Sequence, residues 1–197
     1  MSTLTFIKNF IRDRDVASIT PTSMRCVRRV CNHIDFSKDN IIVEYGPGDG
    51  VFSRYLLERL TPGSRLIMVE GNANFAGLLK ETITDPRADV LNILAGEVLE
   101  HLPSEVIGKV DYVLSGIPFS FLKPDRKRRV LQATHTILRT GGKFLAYQTS
   151  NHLKKPVLEV FGNVETEMEM LNIPPYLIYD VTKLEEDEPK KAASSAS

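Results

Sequence analysis

Ile41-Ile42-Val43-Glu44-Tyr45-Gly46-Pro47-Gly48-Asp49-Gly50-Val51-Phe52 is the stretch that decides the fold of this chain. Residues 41–45 have the length and apolar character of a short strand. Glycines at 46, 48 and 50 follow, and residues 51–60 then read as a helix stopped by Thr61-Pro62-Gly63. A strand that turns through glycines directly into a helix puts the turn at the carboxyl edge of a parallel sheet. There a backbone without side chains can approach a ligand closely. Two well-known versions of such a turn are excluded. A dinucleotide fingerprint requires glycine at position 51, where Val51 stands, and a P-loop requires Gly-Lys followed by Ser or Thr, which is missing. A tight turn with a purely structural role is the plain alternative.

The segments on either side keep the alternation. Residues 65–70 form a second strand, and residues 72–83 a helix with Phe75, Leu78 and Leu79 on one face. Residues 89–94 and 110–115 make the third and fourth strands. Residues 124–138 make a helix with Val130, Leu131, Thr134, Ile137 and Leu138 inward. Gly141-Gly142 is expected to end that helix, and residues 143–148 to form a fifth strand. Two late runs, 164–171 and 176–181, flank Pro174-Pro175 and suit an antiparallel edge. Strands separated by helices imply right-handed crossovers, so the expected fold is α/β, a doubly wound, mostly parallel, seven-stranded sheet. A helical extension precedes it. Leu4, Ile7, Phe10 and Ile11 form an apolar stripe with Lys8 and Arg12 beside it, and Thr22 or Ser23 can cap a second helix running to about His33. The expected organisation is therefore a helical segment over 1–35, the sheet domain over 36–183, and a tail over 184–197 too polar to bury a core.

The 197 residues suffice for one such domain. Lys+Arg and Asp+Glu each total 25, so bulk charge points to no nucleic-acid partner. The charge is unevenly spread. Lys8, Arg12, Arg14, Arg25, Arg28 and Arg29 crowd the start, and Lys123, Arg126, Lys127, Arg128 and Arg129 form a second run. Such runs are solvated faces or contacts to an anionic surface. Cys26 and Cys31 share one helical stretch, at a spacing that fits neither a disulfide framework nor a zinc site, and no metal is expected. No apolar run reaches the roughly 18 residues of a membrane span, and the start lacks a secretory signal's apolar region, so a cytoplasmic location is expected.

Glu44-x-Gly46-x-Gly48-x-Gly50 resembles the first motif of the class I S-adenosylmethionine-dependent methyltransferases. The resemblance implies a Rossmann-like fold, S-adenosyl-L-methionine as cofactor and S-adenosyl-L-homocysteine as product. It implies that Glu44, Gly46, Pro47, Gly48 and Gly50 pack against the cofactor's methionine and ribose. Glu70, followed by Gly71, stands where the family places an acid on the ribose hydroxyls, and a carboxylate can accept both hydrogen bonds of a diol. Gly96-Glu97-Val98 stands near the expected adenine. Ser115-Gly116-Ile117-Pro118-Phe119 ends the fourth strand beside the expected methyl. Nucleobase N-methyltransferases have Asn-Leu-Pro-Tyr or Asp-Pro-Pro-Tyr at this point. Their Asn or Asp accepts a hydrogen bond from the exocyclic amine and their aromatic residue stacks on the flipped base. Here Gly116 lacks the acceptor, which argues against adenine, while Phe119 retains a ring able to stack.

Several segments together resemble the bacterial phospholipid N-methyltransferases: Phe6-Ile7-Lys8-Asn9-Phe10-Ile11-Arg12, Ser18-Ile19-Thr20-Pro21-Thr22-Ser23, the glycine motif, Leu114-Ser115-Gly116-Ile117-Pro118-Phe119, and Leu171-Asn172-Ile173-Pro174-Pro175-Tyr176. This resemblance covers most of residues 4–181. It implies methylation of the ethanolamine nitrogen of phosphatidylethanolamine, and of its mono- and dimethyl forms, towards phosphatidylcholine. The expected partner is then a phospholipid at the inner face of the membrane, with no obligate protein partner. Phe6, Ile7, Lys8, Phe10, Ile11, Arg12, Pro118 and Phe119 are the expected substrate and membrane contacts; an amphipathic basic helix has the form of an interfacial anchor. Adenine N6-methylation of rRNA or other nucleic acid is the alternative, in which the basic runs meet phosphates. Methyl transfer from a sulfonium needs alignment more than acid–base help. Ser115, Gly116, Ile117, Tyr45 and Tyr147, at strand ends, are the catalytic candidates, with His101 as a further one.

Overall fold

The computed structural model describes residues 23–169 and 175–185. Seven strands form one sheet in the order β3-β2-β1-β4-β5-β7-β6. They are β1 (Ile41–Tyr45), β2 (Arg65–Val69), β3 (Ala88–Leu91), β4 (Val110–Ser115), β5 (Leu138–Gln148), β6 (Glu165–Glu169) and β7 (Tyr176–Thr182). The first five are parallel, and β7 runs antiparallel to both β5 and β6. The chain winds outward from β1 through β2 to β3, then returns to start β4 on the other side of β1. The winding reverses at the β1–β4 boundary, and in open α/β sheets a crevice for ligands opens at the carboxyl ends of the strands there.

Both sheet faces are covered, which is why the parallel strands read as nearly continuous apolar runs. Alternation assigns the residues to faces. Ile42, Leu66, Met68, Tyr112, Leu114, Leu145 and Ile178 meet α1 (Met24–Cys31), α2 (Val51–Leu57) and α3 (Ala73–Thr82). Val43, Tyr45, Val113, Phe144, Ala146 and Tyr179 meet α4 (Val98–His101), α5 (Pro124–Ile137) and α6 (Lys154–Phe161). Ser23 caps α1 by accepting the Cys26 amide at 3.2 Å, and Asn72 caps α3 by accepting from Asn74 and Phe75. Cys26 and Cys31 are free thiols on the buried side of α1.

Polar and charged side chains fasten α1 and the turn after it across the antiparallel edge. Arg25 and Arg29 pair with Glu169 at 3.4 and 3.6 Å, Arg29 with Glu167 at 3.3 Å, and His33 with Asp180 at 2.8 Å. Lys143 reaches the same Asp180 at 2.8 Å.

The expected doubly wound sheet is present, with local differences. Gly141-Gly142 does not end the helix. α5 stops at Ile137 and β5 begins at once, the two glycines lying inside the strand. The β4–β5 register shifts between Val110 and Tyr112. A Cβ on Gly142 would stand 2.9 Å from the carbonyl oxygens of both Arg139 and Val110, so these glycines absorb an irregularity in the ladder. The third strand is shorter than expected, and α6 and the turns over residues 95–101 were not anticipated. The N-terminal stripe, with Leu4, Phe6, Ile7, Lys8, Phe10, Ile11 and Arg12, lies outside the described residues, as do Asn172, Ile173, Pro174 and residues 186–197 of the tail. No helix among the described residues is long and apolar enough to cross a membrane.

Candidate active site

The glycine turn sits at the carboxyl end of β1 with all three glycines in the left-handed region, at φ 68°, 58° and 80° for Gly46, Gly48 and Gly50. Their surroundings differ. A Cβ on Gly46 would stand 2.7 Å from the Ile117 side chain, so bare backbone there lets the loop after β4 close onto the turn. Gly50 is packed in, with Arg54 and Leu79 each 2.9 Å from a Cβ. Gly48 has nothing within 4 Å of that position. A side chain at 48 would fill open space at the sheet edge, and that space is the cradle.

Two carboxylates border it. Glu44, on β1, is buried and accepts the Ser53 hydroxyl at 2.6 Å. Burial pushes its pKa up to about 7, with the Ser53 hydrogen bond opposing and the Glu70 and Asp49 charges adding. Glu70, just past β2, accepts the Gly48 amide at 3.1 Å on one oxygen and the Asn72 amide at 2.8 Å on the other. Burial raises its pKa and the two amides pull it back. Glu70 thus ties the glycine turn to the end of β2, and each oxygen keeps a lone pair for a hydroxyl donor.

Further along the edge, Gly71 faces Leu94, whose Cδ2 would lie 3.0 Å from a Cβ there. Leu94 is 52% exposed, a large apolar side chain left bare beside the acid. Glu97 turns back to accept the Leu94 amide at 3.1 Å. The Gly96 carbonyl takes the Arg129 guanidinium at 2.9 Å. Val98 is fully buried in the core and offers no surface to a ligand. An acid able to accept from a diol, an apolar wall beside it and an open glycine cradle fit the ribose, adenine and methionine parts of S-adenosylmethionine. Leu94 was not singled out from sequence, since one leucine among the apolar residues after β3 carries no motif.

The loop after β4 is pinned by a residue with no sequence signal. Gln148, buried at the end of β5, accepts the Phe119 amide at 3.1 Å and donates to the Ile117 carbonyl at 2.9 Å. Several expectations are corrected here. Phe119 is 0% exposed and meets Phe144 edge-on at 6.2 Å between ring centres, so it is core and offers no face to a substrate; Pro118 stays exposed. Ser115 is fully buried and its hydroxyl has no hydrogen bond to the described residues, so it cannot touch a substrate. Tyr45 is fully buried under α5 with its hydroxyl 3.3 Å from that of Thr134, pointing away from the crevice. His101 donates to the Glu97 carbonyl at 3.0 Å and shares a surface hollow with Arg65, Ile67, Asp89 and Leu91 of β2 and β3, none of them part of the glycine turn.

Gly116 and Tyr147 meet. Ser115 pairs with Ala146 across β4 and β5, which brings the next residues, Gly116 and Tyr147, side by side. A Cβ on Gly116 would collide with the Tyr147 hydroxyl, would lie 2.9 Å from its ring carbon Cζ, and would stand 3.4 Å from the Gly46 carbonyl oxygen.

A family model described as a methyltransferase domain matches residues 43–146, more than half of the chain. The chain belongs to the class I S-adenosylmethionine-dependent methyltransferases. Among curated proteins, this methyltransferase is similar to the ornithine lipid N-methyltransferase of Singulisphaera acidiphila, 26% identical over 138 residues, which are 70% of this chain and 72% of that protein. It is also similar to the ribosomal RNA small subunit methyltransferase A of Rhodococcus erythropolis, 25% identical over 120 residues, 59% of this chain but 36% of that protein. The match thus spans about a third of the rRNA enzyme's length. Among solved structures, a precorrin-6y C5,15-methyltransferase from Geobacter metallireducens shares the fold with a TM-score of 0.67 at 16% identity, covering 87% of this chain and 96% of that one. The 1,6-didemethyltoxoflavin-N1-methyltransferase of Burkholderia thailandensis, with S-adenosylhomocysteine bound, does so with a TM-score of 0.64 at 16% identity, over 92% and 87%. The methyltransferase uses S-adenosylmethionine.

Proposed function

We propose that this methyltransferase acts on the amine of a membrane aminolipid, with phosphatidylethanolamine and its partly methylated forms as substrates. The observation that carries the reading is the burial of Phe119 beside a bare Gly116. A flipped base needs an acceptor for its exocyclic amine and an aromatic face to lie on. In this chain the acceptor position has no side chain and the aromatic ring is part of the core. A small, flexible amine on a lipid headgroup needs neither. The likeness to a lipid N-methyltransferase over 72% of its length supports the same choice, against about a third for the rRNA enzymes.

In this reading Glu44 and Gly46 to Gly50 shape the cradle for the cofactor's methionine end. Glu70 accepts from the ribose hydroxyls, and Gly71, Leu94, Gly96 and Glu97 border the adenine. When bound, S-adenosylmethionine supplies a methyl group made electrophilic by the sulfonium. Gln148 and Gly46 hold the loop over residues 115–119 against the glycine turn, which excludes water from one wall of the site. Access to a lipid is assigned to the sequence pattern over residues 4–12, whose apolar and basic residues suit the surface of an anionic leaflet.

The test offers radiolabelled S-adenosylmethionine to three acceptors in parallel: vesicles with phosphatidylethanolamine, vesicles with ornithine lipid, and small-subunit rRNA. Label is expected in phosphatidylethanolamine. The protein should sediment with vesicles containing phosphatidylglycerol, less so in high salt, and Phe10→Asp should weaken sedimentation and lipid methylation while leaving S-adenosylhomocysteine affinity intact. Label in rRNA alone, with the protein left in the supernatant, overturns the lipid reading.

A further inference from the structure

The meeting of Gly116 and Tyr147 gives the site an acceptor that its β4 loop lacks. Tyr147 projects from β5 on the same sheet face as Gly116, and its hydroxyl occupies the place where a side chain on residue 116 would begin. Its ring is fixed on two sides. It stacks on Phe52 of α2, with ring centres 4.7 Å apart and planes 19° apart, and meets Tyr176 of β7 edge-on at 5.7 Å. The glycine turn is close by, since a Gly116 Cβ would lie 3.4 Å from the Gly46 carbonyl. No hydrogen bond joins the Tyr147 hydroxyl to the described residues. A ring clamped between aromatic neighbours thus holds out a hydroxyl with free lone pairs at the carboxyl edge of β4.

We propose that the Tyr147 hydroxyl is the hydrogen-bond acceptor that orients the substrate amine, in the place an Asn or Asp side chain would otherwise take. The proposal rests on the aminolipid reading above. Tyr147 accepts one N–H of the neutral amine and so turns the nitrogen lone pair towards the methyl carbon. The N–C bond forms as the C–S bond breaks, the sulfur keeps the bonding pair and the positive charge passes to nitrogen; in the first two rounds one N–H proton then leaves to water, and in the third the quaternary product keeps the charge. The hydroxyl does not take that proton. Burial, with Glu44 nearby, raises the Tyr147 pKa well above its ordinary value, so the phenol stays protonated throughout.

An acceptor of this kind has a stoichiometric signature. A primary amine offers two N–H groups, the monomethyl amine one, and the neutral dimethyl amine none. Tyr147→Phe keeps the ring and its stacking and removes only the acceptor. It should lower kcat at least tenfold on phosphatidylethanolamine and on its monomethyl form, and by less than twofold on the dimethyl form. S-adenosylhomocysteine affinity by calorimetry, the melting temperature and the pH of half-maximal rate should match wild type. Calorimetry with glycerophosphoethanolamine in the presence of S-adenosylhomocysteine, a readout independent of turnover, should show weaker binding in the variant. An equal loss on all three lipids, a loss of S-adenosylhomocysteine affinity, a missing limb in the pH profile or no loss on phosphatidylethanolamine overturns the proposal. If wild type methylates ornithine lipid or rRNA instead, the phosphatidylethanolamine reading falls alone, and the same variant assayed on that acceptor decides the role of the hydroxyl. A wild type that methylates none of the three overturns both.

Discussion

The two flanks of the sheet are held together by different kinds of contact. On the β1–β2–β3 flank the glycine turn is fixed by backbone amides to Glu70 and by a hydroxyl to Glu44, all within 22 residues of chain. On the β5–β7–β6 flank α1 and the turn after it are fastened by side-chain pairs between partners far apart in sequence. Arg29 and Glu167 are 138 residues apart, His33 and Asp180 147. The first flank is a motif, stiff because its partners are neighbours. The second is an assembly, whose pieces meet only once the sheet exists. Cofactor binding is therefore expected to depend on the first flank, and the seating of α1 on the second.

The largest effect is expected on the first flank. Gly48→Val places a branched side chain in the open cradle and at φ 58°. S-adenosylhomocysteine affinity should fall more than about a hundredfold, or ~3 kcal/mol, and the backbone strain should cost roughly 1–2 kcal/mol of stability. Wild-type affinity in a folded variant would remove the cradle from the site.

Next comes the pH dependence of Glu44. Its carboxyl titrates near 4.5 when free and at about 7 in the fold. A raised pKa means that the folded state prefers the protonated form. The stabilisation is complete below pH 4.5 and is lost as pH rises through 7, a fall of about 2–3 kcal/mol. In urea melts from pH 4.5 to 8, Glu44→Gln should flatten this part of the curve. A variant that tracks wild type across the range assigns the pH dependence to other groups.

The smallest effect is expected on the second flank. Glu169 is buried while Arg25 and Arg29 are 61% and 43% exposed, so the arginines stay solvated when it is removed. Glu169→Ala should cost about 1 kcal/mol, less than a fully buried pair would. The gap from wild type should narrow in 1 M salt, where screening acts within about 3 Å. S-adenosylhomocysteine affinity should not move. If it falls in step with stability, the two flanks are coupled and the contrast fails.

The same contrast explains what could be read from the sequence. Strand, glycine turn and helix lie consecutively over residues 41–57, so their geometry is written in local spacing, and the expected seven-stranded sheet is the one observed. The antiparallel edge was also legible, because Pro174-Pro175 separates two short β-prone runs. Gly141-Gly142 misled, since a glycine pair that relieves a ladder irregularity looks the same in sequence as one that ends a helix. Phe119, which opens a short turn past the end of β4, and Tyr45, the last residue of β1, misled for related reasons. A strand end marks where the backbone emerges, but the pleat within the strand, and the turn beyond it, decide which side chain enters the crevice. Gln148, which pins the loop after β4, was invisible because its partners are backbone groups 29 and 31 residues away.

The two thiols of α1 bear on the chemistry of the site in another way. An enzyme that keeps a methylating agent in its crevice carries a risk of alkylating itself, and thiolates are the most susceptible side chains. Cys26 and Cys31 lie in the layer that also holds Phe52, Tyr147 and helix α2. Burial pushes Cys26 up to about 12 and Cys31 higher still, with Glu169 and Glu44 adding to the two shifts respectively. At neutral pH both remain thiols. Burial under the sheet, with the acidic residues that seat α1 and border the cradle adding to it, therefore keeps the enzyme's own sulfurs protonated beside the reagent it uses.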